Sequence, residues 1–433
     1  MTRAWRATVG LGALAAVIGC GQGAPDAGTS DPTAGELRPA PGRPVYEGSA
    51  AVDPHAGIVE AEWTIRFVVD STLVHGASVL LAEGLDVTAL EGDNVAGYTE
   101  AGWREGSGVR RIAVDWSAPA APGEVREIRL AYEGAPFDSL PEDPINSMTP
   151  EWIELGLDSF WHPVFESFDQ DIVGELRLSV PADWTVVASG EVTREGELHV
   201  LRSTVPQVDV AFVGAPVLER TAVENVAVYH EGADPRTVAR VIETATVCKD
   251  WLTGRFGPMP ALKFVLAPRD DGGYARKNYV VLTRVDDFPD PVLSRFICHE
   301  LAHYWSSAAS SSSPDYWMTE AFAELVAARH VRDVHGDSAY APIVEQWRSQ
   351  AAGRPPVWTD TATQRGSFAI NYRKGPLLLT RLEEQIGSEP FAELLRRYMT
   401  ESTATTRRLL EQLEEVAGPE ASAAFREMLA ADS

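Results

Sequence analysis

The clearest pattern in the chain is an alternation of apolar and polar residues between positions 57 and 69. Successive side chains of a β-strand point to opposite faces, so the apolar members of this run share one face. They are Val59, Ala61, Trp63, Ile65, Phe67 and Val69. Similar short segments, separated by Gly, Pro and Asp turns, continue to residue 217: VRRIAVDW, VREIRLAYEG, ELRLSVP, WTVVASGEV, ELHVLRS and VDVAFVG. This spacing predicts an antiparallel β-sandwich of two sheets over residues 44–217.

A helical repeat replaces this alternation after residue 218. In residues 235–255 the apolar positions recur every three to four residues, which predicts an amphipathic helix. Two short apolar strands, ALKFVLAP and NYVVLT, follow that helix. The remaining chain is mostly helical, with predicted helices at 292–309, 316–335, 342–352, 370–387, 389–400 and two more beyond. The predicted fold class is therefore α+β, with a β-sandwich domain at 44–217 and a mostly helical domain at 218–433.

Length and charge narrow the range of functions. The chain has 433 residues, of which 45% are hydrophobic, enough for two or three domains at roughly 150 residues each. Its formal net charge is −26. A surface of that charge repels phosphates, which argues against nucleic acid as a partner and suits a soluble or surface-tethered protein.

The N-terminus has the pattern of an export signal. Arg3 and Arg6 precede an apolar run at 9–19, which is too short to span a bilayer because a membrane helix needs about 20 residues. The run ends in Val17-Ile18-Gly19-Cys20, which resembles a bacterial lipobox. We therefore predict a signal peptide at 1–19, lipidation of Cys20 and, from its Gly- and Pro-rich composition, a flexible tether at 20–43. The alternative is an ordinary secretory signal with an incidental cysteine.

These features together predict an outer-membrane lipoprotein facing the periplasm or the cell surface. If Cys20 is lipidated, only Cys248 and Cys298 remain. Two cysteines of an exported chain can form one disulfide. Each also lies in an apolar helical context, where buried free thiols are common, so both possibilities stay open.

The segment FICHELAHYW carries the chemistry that points to a metal. His299 and His303 are four residues apart, so both imidazoles lie on one face of a helix. Glu300 points beside that face, where it can accept a proton from a water molecule on the metal. The apolar neighbours in this segment bury the helix, and buried imidazoles and carboxylates need strong partners. A divalent cation would supply one.

Zinc suits this pattern, because catalytic zinc takes three protein ligands and often binds two His and one Glu. The third ligand is expected from helix 316–335, which carries Glu320 and Glu324 on one face. One of them would bind the metal and the other would accept a hydrogen bond from a ligand imidazole. Spacing alone does not order the two, and a solvated surface carboxylate is the plain alternative for the second.

HELAHYW followed by WMTEAFAEL resembles the gluzincin zinc metallopeptidase family of alanyl aminopeptidases and leukotriene hydrolases. The resemblance implies a thermolysin-like catalytic domain that binds one zinc ion through His299, His303 and Glu320. It implies Glu300 as the catalytic base and leaves Glu324 as the outer partner. The gap of sixteen residues between His303 and Glu320 is two shorter than in the family, and the serine-rich SSAASSSSP accounts for the difference.

A second block, NYRKGPLLLTRLEEQIG, resembles the Tyr-x-Lys-Gly segment of the same family. The resemblance implies that Tyr372 donates a hydrogen bond to the oxyanion of the tetrahedral intermediate. A purely structural tyrosine at a helix start is the alternative. The resemblance covers roughly residues 45–430. It does not extend to the family's C-terminal helical domain, which closes over the site, so a more open site is expected here.

The family's amine-binding motif, Gly-x-Met-Glu-Asn, is absent. The corresponding stretch is GGYARKNYVVL, with Gly273 at the glycine position and Arg276 where the family has its glutamate. A guanidinium repels a substrate ammonium, so aminopeptidase specificity is doubtful. Gly272, Gly273 and Arg276 are the predicted substrate-binding residues, with Arg276 receiving a carboxylate or else facing solvent. NYVVLT is expected to be an edge strand that pairs with extended substrate.

The predicted function is zinc-dependent hydrolysis of peptide bonds by an activated water molecule. The alternative is a zinc-bearing peptide-binding lipoprotein with little or no turnover. A peptide or protein is the expected partner, nucleic acid is not, and contact with a membrane is expected only through the lipid anchor.

Overall fold

The computed structural model describes residues 37–137, 145–270 and 272–432. The predicted signal peptide, Cys20 and the tether up to residue 36 lie outside the described residues. Within the described parts, no helix is long and apolar enough to cross a membrane.

The described residues up to 217 form strands arranged in three sheets. The first sheet has the strand order β13-β14-β11-β1-β2-β7-β4, the second β10-β3-β6-β5 and the third β12-β15-β9-β8. The strands are β1 Val45–Asp53, β2 Ile58–Val68, β3 Gly76–Ala82, β4 Leu85–Glu91, β5 Val95–Gly102, β6 Val109–Trp116, β7 Val125–Gly134, β8 Ser147–Met148, β9 Ile153–Leu155, β10 Val164–Phe165, β11 Ile172–Ser179, β12 Thr185–Ala188, β13 Glu191–Glu195, β14 Leu198–Gln207 and β15 Phe212–Ala215.

The alternation that predicted β2 is confirmed, because its six apolar residues are all buried. Phe67 of β2 contacts Phe165 and Trp116 of the second sheet, so the first two sheets pack face to face around an aromatic core. The α+β fold class is confirmed. Two details differ from the prediction: a small third sheet is present, and β1 pairs with β11 in parallel. Periodicity along single strands carries no information on which strands become partners.

The second part begins with a five-stranded sheet of order β16-β17-β18-β20-β19. Its strands are β16 Glu219–Val223, β17 Val226–His230, β18 Leu262–Leu266, β19 Tyr274–Arg276 and β20 Tyr279–Leu282. The prediction that NYVVLT is an edge strand is wrong. The preceding segment, Tyr274–Arg276, folds back in a hairpin, pairs with that strand and becomes the edge itself.

Eight α-helices lie within the described residues of this part, the first between β17 and β18 and the others after β20. They are α1 Pro235–Phe256, α2 Asp290–Ala302, α3 Trp317–His335, α4 Asp337–Ala351, α5 Gly375–Ile386, α6 Ser388–Thr400, α7 Thr406–Ala417 and α8 Pro419–Ala430. Helix α2 ends at Ala302, well before the predicted residue 309. Residues Ile370–Lys374 form a π-helical turn that leads into α5. Such turns occur often at functional sites.

The two parts share a core and two buried ion pairs. Apolar residues of β12 and β15 pack on residues of β18, β19 and β20. Glu154 of β9 accepts hydrogen bonds from Arg269, the shorter at 2.7 Å. Asp209 accepts from Arg276 of β19 at 2.7 and 2.8 Å. The β-rich part therefore anchors the β19–β20 hairpin, which precedes α2.

A disulfide joins Cys248 of α1 to Cys298 of α2, which decides between the two possibilities left by the sequence. Both cysteines are fully buried. The buried ring of His330 lies beside the pair, since one ligand atom from each of the three residues falls within 4.8 Å of the others. The helix that carries His299 is thus tied covalently to the domain core.

Lys374 and Gly375, from the Tyr-x-Lys-Gly block, have structural roles. The buried Lys374 ammonium donates to the backbone carbonyls of Arg354, Pro355 and Ala431 at 3.0, 2.7 and 2.8 Å. At Gly375 an added Cβ would lie 2.7 Å from Cβ of Ala321, so glycine lets α5 approach α3 closely. Together they fix the turn that carries Tyr372.

We expect Lys374→Met to lower the free energy of unfolding by about 3 kcal/mol, because three backbone carbonyls lose a buried, charged donor. Urea denaturation measures this change. Lys249→Met is the control, since Lys249 is only half-buried on α1, and it should cost less than about 1 kcal/mol. Equal effects of the two substitutions would contradict this role for Lys374.

Candidate metal centre

Helices α2 and α3 bring the predicted metal site together. His299 and Glu300 lie in the last turn of α2, and His303 caps that helix. Glu320 lies in the first turn of α3. All four side chains are buried. The structure therefore places side chains that are up to 21 positions apart in the chain in one enclosed site.

The three predicted ligand atoms form a compact triangle. Nε2 of His299 lies 3.2 Å from Nε2 of His303 and 3.2 Å from Oε2 of Glu320. Nε2 of His303 lies 3.5 Å from the same oxygen. A tetrahedral zinc ion with ligand distances of about 2.0–2.2 Å holds neighbouring ligand atoms about 3.3–3.6 Å apart. The spacing of these donors therefore fits zinc.

The hydrogen bonding of the triangle also fits a cation. Oε2 of Glu320 is buried and forms no hydrogen bond with any described residue. The two Nε2 atoms face each other, so they cannot both point a lone pair inward without a positive charge between them. Two imidazoles and a carboxylate are a common donor set for catalytic zinc. The residues present fit the predicted metal.

A residue of the serine-rich segment orients one ligand. Nδ1 of His303 donates to the carbonyl oxygen of Ser306 at 3.2 Å, which leaves Nε2 to face the triangle. The Ser306 hydroxyl donates in turn to the Thr319 carbonyl at 2.9 Å, just before Glu320. The shortened loop thus links the two ligand-bearing helices.

Glu300 is placed to accept a proton. One of its carboxylate oxygens, Oε2, is buried and has no hydrogen-bond partner among the described residues. Burial raises the pKa of Glu300 above its ordinary value, although the neighbouring His299 and His303 oppose this shift. A carboxylate with a raised pKa is better matched to proton transfer near neutral pH.

Tyr372 lies against the triangle on the π-helical turn. Its ring stacks on the ring of His299, with the centroids 5.6 Å apart. It also stacks on the ring of Phe368, with the centroids 4.5 Å apart. Burial raises the pKa of the Tyr372 hydroxyl well above its ordinary value, and the Glu320 carboxylate raises it further. The phenol therefore stays protonated and can donate a hydrogen bond.

Tyr316 is a site residue that the sequence analysis missed. Its hydroxyl donates to Oε1 of Glu320 at 2.5 Å. One oxygen of the ligand carboxylate is thereby held by a phenol, and the other is left for the metal. The spacing of four residues on one helical stretch was the available signal, because residues i and i+4 lie on the same side.

Glu324 is buried and paired with arginines. It accepts from Arg295 at 2.9 and 3.0 Å and from Arg373 at 3.0 Å. The predicted hydrogen bond to a ligand imidazole is not formed, since Nδ1 of His299 has no partner among the described residues. Glu324 instead connects the helix of Glu320 to Arg373, the neighbour of Tyr372, and is not a solvated surface carboxylate.

Comparison with known proteins agrees with this geometry. Residues 291–428 match the Peptidase family M1 domain. These residues form a family M1 peptidase domain. They contain all three predicted zinc ligands, Glu300 and Tyr372, so the predicted family and the assignment as a hydrolase are confirmed. An M1 peptidase domain implies a zinc cofactor, in agreement with the donor set.

Solved structures share the fold of almost the whole chain. The M1 zinc metallopeptidase from Deinococcus radiodurans superposes with a TM-score of 0.68 at 18% identity, covering 90% of this chain and 93% of that one. A mutant of that enzyme bound to a Tyr-Ser-Ala substrate gives a TM-score of 0.66 at 20% identity, covering 90% and 94%. Native leukotriene A4 hydrolase from Saccharomyces cerevisiae gives 0.68 at 14% identity, covering 90% of this chain and 67% of that chain.

The predicted substrate-binding residues lie in β19 and directly before it, outside the residues that match the M1 domain. The guanidinium of Arg276 is buried against Asp209, so the geometry does not support the prediction that it binds a substrate carboxylate. Nor does it face solvent. An added Cβ at Gly273 would lie 2.3 Å from Phe296, and one at Gly272 would lie 2.6 Å from Ile145. Both glycines meet packing constraints, and their role in substrate binding stays a prediction.

The apparent zinc affinity of the M1 domain should rise with pH. Burial alone would lower the pKa of His303, but Glu320, Glu300 and the Ser306 carbonyl together outweigh burial and raise it to about 9 in the metal-free protein. Below that pH the imidazole holds a proton that zinc must displace, so affinity should fall by up to about tenfold per pH unit. Competition with a chelator at several pH values measures this slope, and an affinity independent of pH would contradict it.

Proposed function

We propose that this chain hydrolyses peptide bonds in a zinc-dependent reaction. One observation carries the proposal: a proton-accepting carboxylate, Glu300, and a protonated phenol, Tyr372, both border a donor triangle that fits zinc. Holding zinc for structural purposes requires neither group. A hydrolytic reaction requires both.

His299, His303 and Glu320 would hold the zinc ion. When bound, zinc supplies a Lewis acid that polarises the substrate carbonyl and makes a water molecule more acidic. Tyr316 and Ser306 support the ligands by fixing one oxygen of Glu320 and the tautomer of His303. These bonds hold the donor atoms in position before substrate arrives.

Glu300 accepts the proton of the attacking water molecule and delivers it to the leaving amine. Its lack of a hydrogen-bond partner among the described residues supports this role, because Oε2 is available to the water. Tyr372 donates its phenolic hydrogen to the oxyanion that develops on the substrate carbonyl. Its stacking on His299 keeps that hydroxyl beside the metal ligands.

Cleavage need not start at a free N-terminus. At the position where the resemblance implies an amine-binding glutamate, the chain has Arg276, which is occupied by Asp209. We therefore propose peptidase activity that does not depend on a substrate α-amine. On the sequence pattern alone, we also propose export and lipidation at Cys20, which would place the enzyme on the outer membrane, facing the periplasm or the cell surface.

Incubation of the zinc-loaded protein with a mixed peptide pool tests the proposal by mass spectrometry. We expect fragments that disappear after chelation and return when zinc is restored. N-acetylated peptides should be cleaved about as fast as their free counterparts. Absence of cleavage would favour the zinc-bearing peptide-binding lipoprotein, and stepwise release of N-terminal residues from free peptides alone would identify an aminopeptidase.

A further inference from the structure

Arg365 borders the metal centre but has no part in the mechanism described above. It lies in the connection between α4 and the π-helical turn, and its guanidinium carbon is 3.9 Å from the centre of the Tyr316 ring. The hydroxyl of that ring donates to Glu320. A single phenol ring therefore separates the guanidinium from a carboxylate predicted to bind zinc.

No carboxylate within the described parts of the chain forms an ion pair with Arg365. The other arginines around the site are all paired: Arg276 with Asp209, and both Arg295 and Arg373 with Glu324. Arg365 is partly exposed, and its guanidinium packs on the face of the Tyr316 ring. A guanidinium held by its face keeps its N–H groups directed outward at its edge.

Arg365 is also within electrostatic reach of Tyr372. Burial and the neighbouring carboxylates raise the pKa of the Tyr372 hydroxyl, and the positive charge of Arg365 partly offsets them. Phe368, three residues further along the same connection, stacks on Tyr372 and is 55% exposed. The connection thus presents a cation and an apolar ring beside the proposed oxyanion donor.

We propose that Arg365 binds a carboxylate of the substrate, one or two residues from the scissile bond. This inference rests on the proposed function. An extended peptide advances about 3.3–3.6 Å per residue. The guanidinium lies 3.9 Å from the centre of the Tyr316 ring, whose hydroxyl binds Glu320, so its distance from the metal ligands is on the order of one to two residues of such a peptide. The carboxylate is either the C-terminus of a short peptide or an acidic side chain, and each accepts two parallel hydrogen bonds from a guanidinium.

The overall charge of the chain gives Arg365 added importance. A protein of net charge −26 repels anionic peptides at a distance. Recognition of a carboxylate then depends on a local positive charge that is not already neutralised. Arg276, the residue that the sequence offered for this role, is buried against Asp209, whereas Arg365 is partly exposed.

Two sets of matched peptides test the proposal on the zinc-loaded protein. One set compares a free C-terminal carboxylate with a C-terminal amide, and the other compares Glu with Gln at each position near the cleaved bond. We expect one set to show a preference in kcat/KM of about tenfold or more for the carboxylate. Arg365→Gln should reduce that ratio to near one, and Arg365→Lys should keep part of it as a point charge. The set that responds identifies the source of the carboxylate.

Arg348→Gln is the matched control, because it removes a positive charge from the exposed surface of α4 and should leave the ratio unchanged. The proposal is overturned if wild type shows no carboxylate preference in either set. It is also overturned if Arg365→Gln keeps the wild-type preference for the carboxylate, with an unchanged thermal midpoint showing that the variant is folded.

Binding separates this inference from the proposed hydrolysis. Dissociation constants of the same peptides are measured on Glu300→Gln, with and without Arg365→Gln. A carboxylate preference in binding that needs Arg365, in a protein whose wild type cleaves nothing, would leave the inference standing while the proposed function fails. Equal affinities for carboxylate and amide would remove the inference whatever the activity.

Discussion

Glu300→Gln is expected to lower kcat for peptide hydrolysis by about a thousandfold and to leave zinc content unchanged. The amide has nearly the shape of the carboxylate but cannot accept the water proton, and general-base catalysis contributes roughly 10²–10⁴-fold. Glu300 contributes none of the three predicted ligand atoms, so its substitution removes no metal ligand. Metal analysis and steady-state kinetics on the same preparation measure both quantities.

Glu300→Asp serves as the control for charge, since it keeps a carboxylate on a shorter side chain. It should recover part of the activity that Glu300→Gln loses. The proposed role would be refuted if Glu300→Gln hydrolysed peptides at the wild-type rate. Loss of zinc from this variant would instead move Glu300 into the ligand set.

Glu320→Ala is expected to abolish stable zinc binding, because it removes one of three donors. The loss in affinity should exceed the ~10–100-fold that removal of an outer partner costs. Glu324→Gln should keep zinc but lower stability, since the half-buried Arg295 and Arg373 would lose their carboxylate partner, a change that costs about 1–3 kcal/mol. Competition with a chelator and urea denaturation together separate the two effects.

The comparison of these two glutamates is decisive for the ligand assignment. The assignment of Glu320 would fail if Glu320→Ala retained full zinc while Glu324→Gln lost it. Glu320→Gln adds a finer measurement, because it keeps the acceptor for the Tyr316 hydroxyl but removes the negative charge. Its affinity should lie between those of wild type and Glu320→Ala.

Local patterns predicted much of this molecule correctly. Segments such as VRRIAVDW and VREIRLAYEG coincide with β6 and β7, because alternation on a half-buried sheet is a property of the strand itself. The ligand set also followed from short-range rules: i and i+4 spacing for His299 and His303, and the family resemblance for Glu320. Those residues meet in the structure at the separations zinc requires.

Contacts between distant segments were beyond sequence reasoning. The pairing of Arg276 with Asp209 spans 67 positions, and no periodicity reports such a partner. Glu324 is predicted to accept from a ligand imidazole because it shares a helix face with Glu320, yet Arg295 and Arg373 occupy its oxygens. The edge of the five-stranded sheet is mispredicted for the same reason, since edge position depends on where the neighbouring hairpin folds.

The Cys248–Cys298 disulfide affects how metal content must be measured. A dithiol reductant would convert the pair into two thiols beside the buried His330 ring, which together offer a sulfur- and nitrogen-containing donor set. Thiolates bind zinc strongly. A second equivalent of zinc in a reduced sample would therefore report the thiol state of Cys248 and Cys298. It would not report the occupancy of the site formed by His299, His303 and Glu320. Stoichiometry should be determined on the oxidised chain, with free thiols counted in the same tube.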